Sequence, residues 1–475
     1  MSAIQTSIFD NLPTYAADHI DLIGLTDDQK NALELIDAAF KANEPAVCLS
    51  GYAGTGKTHT VTRYLIGQNR PIILTAPTNK AVSVLRSMAA TIGEQAECST
   101  IHSVLNLRPM SSLSTGLTKL KQKRKPFIVD NTLLVIDEAS MIGKELLNYI
   151  VDAVNSNHNV QVLFVGDPAQ LPPVGELRSP VFEQNVPMAT LTKVIRQNSS
   201  HPVLNLATQI RQAINGDKQL PKIKPATGDH GSIHILNELQ FENELIKHFK
   251  SDAYDSDPDH CRVLTWTNQK SIRYNSLIRL ELLGEYAAEM QIMPDENLVA
   301  CAPIIIGDDI AVSIGETVKV IDVDECEHPD YPIASIKVLI KTPESGDITV
   351  YAVHRNGKED YKSVSSRLSK AAKQLQDECN RLTDSDKDVP AELNRRRKDA
   401  WRAFFRFKEE AFTDLRPAHS STIHRSQGST YEHVFIDLGD VGRNKNRDEL
   451  LRLIYVGLTR PRCNVFLTGN LPKLV

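Results

Sequence analysis

Short apolar runs rich in β-branched residues recur through the first half of the chain, at Ala46 to Leu49, Ile72 to Leu74, Leu133 to Ile136 and Gln161 to Val165, with helical periodicity between them. Continuous runs of this kind predict parallel strands buried on both faces. The alternation breaks over Asn106 to Asp130, a Ser/Gly-rich stretch with the basic residues Lys119, Lys121, Lys123, Arg124 and Lys125, which predicts a small hairpin or subdomain leaving the core. A second alternating pattern opens at Arg262 to Trp266 and resumes at His433 to Asp437 and Asn464 to Thr468. From about Met290 to Arg416 the period changes twice. Thr317 to Ile321 and Ser335 to Ile340 alternate residue by residue, as in a small antiparallel barrel or sheet. Leu368, Ala371, Ala372, Leu375 and Cys379 then share one helical face, a turn falls at Thr383 to Pro390, and Leu393, Ala400, Phe404, Phe407 and Ala411 line a second helix. An antiparallel helical arm is the expected result. The aromatic residues Trp401, Phe404, Phe405, Phe407 and Phe412 are spaced for packing against the partner helix.

At 475 residues the chain exceeds the size of one hydrophobic core, so two or more domains are expected. A formal charge of -5 argues against a passive basic coat for nucleic acid, because counterion release needs clustered positive charge. Strand binding must then rest on local surfaces. The basic runs Lys119 to Lys125 and Arg395 to Lys398 read first as solvated faces and second as parts of a groove. Seven scattered cysteines without a C-x-x-C pair suit reduced thiols in a cytoplasmic protein rather than a disulfide framework or zinc site. No basic-then-apolar leader or membrane-length apolar stretch is visible, so neither export nor a membrane partner is expected.

The chemistry begins after the first run, in Gly51-Tyr52-Ala53-Gly54-Thr55-Gly56-Lys57-Thr58. Glycines at this spacing let backbone N–H groups wrap phosphates, Lys57 reaches the outer ones, and the Thr58 hydroxyl ligates magnesium. The run Leu133 to Ile136 leads into Asp137-Glu138 at the carboxyl end of a buried strand, where open α/β sheets bind ligands. Asp137 is placed to hold Mg²⁺ and Glu138 to orient or deprotonate the attacking water. Gln170, in Gly166 to Val174, is placed to sense the γ-phosphate. Charge building on a transferred phosphoryl group needs further cations, and Arg196 and Arg460 are the candidates. With Lys57 in the first core and Arg460 in the second, the nucleotide belongs in the cleft between them.

Taken together, Leu25 to Gln29, the phosphate loop, Ala76 to Ala81, Thr100 to Ser103, Asp137 to Ser140, Gly166 to Val174, Arg196-Gln197, Thr422 to Gly428 and Tyr455 to Arg460 resemble the ordered motif set of superfamily one helicases, in the RecD-like and Dda-like branch. The resemblance covers Leu25 to near the end of the sequence. It implies an α/β fold of two RecA-like parallel-sheet cores, with a small hairpin insertion in the first and an SH3-like β-barrel plus helical arm in the second. The implied boundaries are an extension at 1–24, a first core at 25–198 with its insertion at 106–130, a second core at 199–289 and 417–475, and the barrel and arm at 290–416.

It further implies that Gln29 reads the adenine edge, so that the nucleotide is ATP, and that Tyr455 and Arg425 border the same cleft. Segments matching Thr78, Asn79, His102, Thr267, Asn268, Thr422 and His424 face a single strand crossing both cores. Such enzymes translocate 5′ to 3′ on DNA and split the duplex on a pin formed by the first insertion. Pro461 stands where relatives often carry glycine, and Leu113 to Leu117 offers no aromatic residue for a stacking pin tip. The implied partners are single-stranded DNA and duplex junctions, with replication or recombination proteins as further candidates and a monomer as a sufficient motor. Two rival readings stay open: a nucleotide-switched DNA-binding or protein-displacing ATPase that separates no strands, and an RNA-directed relative.

Overall fold

A computed structural model describes residues 22–94, 96–111, 118–122, 124–126, 128–193, 201–214, 216, 220–307, 309–342, 346–384 and 388–471. The first half folds around a six-stranded sheet in the order Ala96–Thr100, Ile72–Ala76, Leu133–Ile136, Gln161–Gly166, Ala46–Gly51 and Met188–Leu191. Every neighbouring pair is parallel. Alternate strand residues feed two separate cores. Val47, Leu49, Leu74 and Val135 join helices Asp27–Lys41, Lys57–Ile66 and Asn79–Ile92 on one face, whereas Cys48, Leu134, Ile136 and Phe164 meet helix Lys144–Asn155 on the other. This two-sided burial is why the strands read as continuous apolar runs. The expected hairpin is present as Leu107–Ser111 paired antiparallel with Thr118–Gln122. Leu113 to Leu117 lies outside the described residues.

A second six-stranded sheet runs Ser420–Thr422, Cys261–Thr265, Tyr431–Asp437, Pro461–Thr468, Gly231–Leu236 and Ala226–Gly228. Its pairs are parallel except the last. Helices Pro202–Ile214 and Arg447–Leu458 pack together on one face, where Ile210, Leu453 and Leu467 are fully buried. Helices Glu238–Phe249 and Asn268–Leu283 cover the other through Phe241, Leu245 and Ile278.

Inserted between helix Asn268–Leu283 and strand Ser420–Thr422 is a five-stranded antiparallel sheet, in the order Gly346–Val353, Ala334–Thr342, Thr317–Glu327, Asn297–Ala300 and Leu415–Pro417. Its inward positions Val318, Val320, Ile336, Val338 and Ile340 are buried with Ile304 and Val312 from a two-stranded hairpin. Helices Lys358–Asp384 and Ala391–Glu409 pack side by side as the arm. Ala372, Cys379, Trp401 and Phe407 are buried there, so the apolar stripes serve packing. Phe407 sits among Tyr331, Tyr361 and Phe412 where the arm joins the sheet. Among the described residues no helix is long and apolar enough to cross a membrane.

Candidate nucleotide site and inter-core cleft

Strand Ala46–Gly51 delivers the phosphate loop to the carboxyl edge of the first sheet. Gly54 and Gly56 hold φ of 79° and 77°, a left-handed backbone that glycine adopts without strain. At Gly51 an added Cβ would lie 2.8 Å from Thr55 Oγ1 and 3.1 Å from Lys57 Cγ, so the cradle closes only around a bare backbone. Lys57 Nζ donates to the Gly51 carbonyl at 2.9 Å and the Tyr52 carbonyl at 3.2 Å, and the Thr58 hydroxyl lies exposed at the helix start. Gln29 is committed to structure: its Oε1 accepts from Thr26 N at 3.1 Å in a capping box, and its Nε2 donates to the Thr55 carbonyl at 3.3 Å. It braces the loop from behind.

Asp137 follows the buried strand Leu133–Ile136, and its Oδ1 accepts from Glu138 N at 2.8 Å. Burial, and then the neighbouring Glu138 charge, raise the Asp137 carboxyl to about 6. A carboxylate pair with this strain suits a dication. Glu138 itself sits at φ 52°, ψ 43°, a left-handed conformation that costs a non-glycine residue about 1–3 kcal/mol and marks functional turns. Gln170 is buried, and its Oε1 has no hydrogen-bond partner among the described residues. An orphaned buried acceptor fits a site completed by water or nucleotide.

The second core reaches into this site through residues the sequence reading assigned differently or missed. Tyr455 OH donates to Asp167 Oδ2 at 2.5 Å and accepts from Ala53 N of the phosphate loop at 3.2 Å. Burial and the Asp167 charge push the Tyr455 phenol well above its ordinary range, so it stays protonated and donating. Arg211, on helix Pro202–Ile214, donates to Asp167 Oδ1 from Nε at 3.2 Å and Nη2 at 2.9 Å. Its guanidinium stacks 3.4 Å from the centre of the Tyr52 ring. Asp167 is fully buried, and Ala169 N completes its shell at 3.0 Å. One signal could have exposed Arg211: it continues the apolar stripe of Leu204 and Ala207, where an unpaired charge is costly.

Breaking a buried pair from one side typically costs about 3–5 kcal/mol because the partner charge is stranded. Arg211→Ala is therefore expected to lower the unfolding midpoint in a thermal melt by several degrees and to depress ATPase activity. Asp167→Asn in the same background should recover part of the midpoint.

Arg460 is held by the backbone and side chains of its own core. Its Nε donates to Val456 O at 3.1 Å, Nη1 to Ser429 O at 3.1 Å and Ser426 O at 3.4 Å, and Nη2 to Thr459 Oγ1 at 2.9 Å, all within the second core. Arg196 lies outside the described residues. Four of the seven expected strand contacts, Thr78, Asn268, Thr422 and His424, line one cavity of about 310 Å³ between the two cores and the inserted sheet. Arg425 lines it too, with Nη1 3.4 Å from Cys301 Sγ. Asn79 begins helix Asn79–Ile92 beside it. Thr267 is occupied as the cap of helix Asn268–Leu283, its hydroxyl donating to Asp440 Oδ1 at 2.8 Å. His102 is half-buried, its imidazole pKa lowered by burial against a backbone contact from Pro77.

Further ties cross the cleft, among them Arg452 Nη1 donating to Pro168 O at 2.8 Å and Gln170 O at 2.9 Å. Gln427 Nε2 donates to Leu171 O at 3.1 Å, and Lys80 Nζ meets Asp259 Oδ1 at 2.8 Å. Gly428, at φ 75°, comes so near the first core that a Cβ would lie 3.1 Å from Thr78 Oγ1 and 3.2 Å from Ala81 Cβ.

Residues 24–238 match the family model of an AAA domain, and residues 417–468 that of a UvrD-like helicase C-terminal domain. The ATP-dependent DNA helicase Dda of Enterobacteria phage T4 is 26% identical over 462 residues, spanning 93% of this chain and 98% of that protein. The RecBCD enzyme subunit RecD of Mycobacterium tuberculosis is 31% identical over 167 residues, 30% of this chain and 26% of that one. Among solved structures, Pif1 helicase from Bacteroides in complex with ADP-AlF3 and ssDNA aligns over 94% of this chain and 92% of that chain, at 16% identity and a TM-score of 0.47. A phosphate loop on one parallel sheet, closed by tyrosine and arginine from a second, defines a two-core nucleotide-driven motor. The chain belongs to the superfamily one helicases, in the branch that holds Dda and RecD.

Proposed function

We propose that this enzyme, an ATP-dependent DNA helicase by family, translocates 5′ to 3′ on single-stranded DNA and unwinds duplex at junctions, driven by Mg-ATP hydrolysis between two RecA-like cores. The observation that carries the reading is the shared cleft, where Ala53 of the phosphate loop, Asp167 and Tyr455 form one hydrogen-bonded chain across both cores. A phosphate arriving at the Ala53 amide competes with the Tyr455 hydroxyl, so nucleotide binding is coupled to how the second core sits. Gly51 to Lys57 cradle the phosphates, Thr58 and Asp137 hold Mg²⁺, Glu138 orients or deprotonates the attacking water, and Gln170 senses the γ-phosphate. The bound metal supplies charge neutralisation on the phosphates. Arg460 and Arg196 complete the positive surround when the cleft closes. Gln29 acts on the adenine side of the loop it braces. The cavity lined by Thr78, Asn268, Thr422 and His424, with Asn79, His102 and Thr267 around it, carries the strand.

In the same reading the cores span 25–198 and 199–289 with 417–475, after an extension at 1–24. The 290–416 insertion is a small SH3-like barrel with its arm, and the 106–130 hairpin is the pin. The protein works as a monomer in the cytoplasm, the host's if phage-encoded, beside replication or recombination proteins. Strand separation measured on duplexes with a 5′ or a 3′ tail, alongside hydrolysis with and without oligo-dT, tests motor activity and polarity together. Opening of the 5′-tailed duplex is expected. DNA binding and hydrolysis with neither duplex opened would favour the non-unwinding ATPase. Glu138→Gln should bind ATP normally yet stall turnover, read by equilibrium nucleotide binding and phosphate release; unimpaired release removes Glu138 from the chemistry.

A further inference from the structure

Three histidines outside the nucleotide site and the strand-lined cavity converge on the second core. His248 lies near the end of helix Glu238–Phe249, His260 immediately precedes strand Cys261–Thr265, and His433 is in strand Tyr431–Asp437. One ring nitrogen from each lies within 4.8 Å of the other two. Their ring centroids are 4.7 Å apart for His248 and His433, 4.9 Å for His260 and His433, and 6.2 Å for His248 and His260.

The placement is rigid. His433 N donates to His260 O at 2.9 Å, and Cys261 pairs in register with His433, so His260 stands at the start of a strand beside the one that carries His433. The third is fixed by the fully buried Phe241, Leu245 and Phe249 of its helix. All three rings are partly exposed, which leaves a path for an ion, and Glu244 Oε1 stands 3.6 Å from His248 Nε2 as a further donor.

We propose that His248, His260 and His433 form a transition-metal site of the zinc class, pinning helix Glu238–Phe249 to the sheet. Imidazole sets suit Zn²⁺, Cu²⁺ and Ni²⁺, whereas Mg²⁺ and Ca²⁺ take oxygen, so this site and the nucleotide's Mg²⁺ do not compete. Bonds of about 2.0–2.1 Å in a tetrahedral shell require the three nitrogens to close by roughly 1 Å, a movement within side-chain reach, with water or Glu244 in fourth place. Asp259, which bridges to Lys80 of the first core at 2.8 Å, is the chain neighbour of His260. The ion therefore sits at the foot of one of the ties between the cores.

The test uses full-length protein stripped with a chelator and kept free of nucleotide. Titration with Co²⁺ should give a four-coordinate visible band saturating at one equivalent, without the near-ultraviolet thiolate charge-transfer band that cysteine ligands produce. Zn²⁺ should displace the cobalt and raise the unfolding midpoint by several degrees. His260→Ala and His248→Gln should each weaken Co²⁺ binding by roughly tenfold or more. His158→Ala, an exposed histidine of the first core, should leave it unchanged. Three results overturn the proposal: no saturable cobalt band in the wild-type protein, a band carrying thiolate character, or one that survives both variants. The first would mean that the rings serve only aromatic packing, such as that of His248 edge-to-face on Phe435 and tilted on Phe466.

Discussion

Lys57→Ala is expected to abolish ATP hydrolysis, with and without oligo-dT, while leaving the fold intact. Lys57 is only partly buried, and its Nζ is held by two carbonyls of its own loop, at 2.9 and 3.2 Å. These are neutral acceptors that a phosphate oxygen outcompetes, because a hydrogen bond to an ionised acceptor is roughly twice as strong. The amine is thus poised, and its loss removes the loop's one side-chain cation. Its removal takes one positive neighbour from the buried Asp137 but breaks hydrogen bonds only within its own loop, so the thermal midpoint should move little. Phosphate release near the wild-type rate in the alanine variant would sink the nucleotide assignment outright. A collapse of the midpoint would instead assign Lys57 to loop architecture.

Arg460→Ala should cut turnover by something approaching the 10³ to 10⁵ range of arginine fingers. Its guanidinium spans Val456 O, Ser426 O and Ser429 O, so it also holds the segment whose Gln427 reaches Leu171 in the first core. Two readouts separate these roles. Loss of turnover with nucleotide affinity and unfolding midpoint largely kept assigns Arg460 to the reaction. Parallel loss of all three assigns it to the architecture of the Ser426 to Ser429 turn. Unchanged turnover would mean that the second core contributes no cation from this position.

The phosphate loop, the Asp137-Glu138 pair and most core strands are legible because local rules decide them: glycine freedom, continuous apolar runs, carboxylates at a strand's end. Strand Met188–Leu191 escapes notice because it is four residues long and lies at a sheet edge, with Met188 exposed. Gly231–Leu236 is hidden for a related reason: only Ser232 and Ile233 are buried, so it lacks an apolar run. The cleft is the least readable part. Arg211 and Tyr455 meet Asp167 across 44 and 288 positions of sequence, and the histidine triad joins positions 248, 260 and 433. No window of periodicity contains such pairs. Gln29 shows the converse: a motif pointed to the residue, and the structure adds the brace between helix cap and loop that spacing does not encode.

Gly428 sets a tolerance for the whole machine. With 3.1 Å between its missing methyl and Thr78 Oγ1, the lobes meet there without a spacer. Even alanine at this point works like a shim in a hinge, limiting how far the jaws shut regardless of what fuels them.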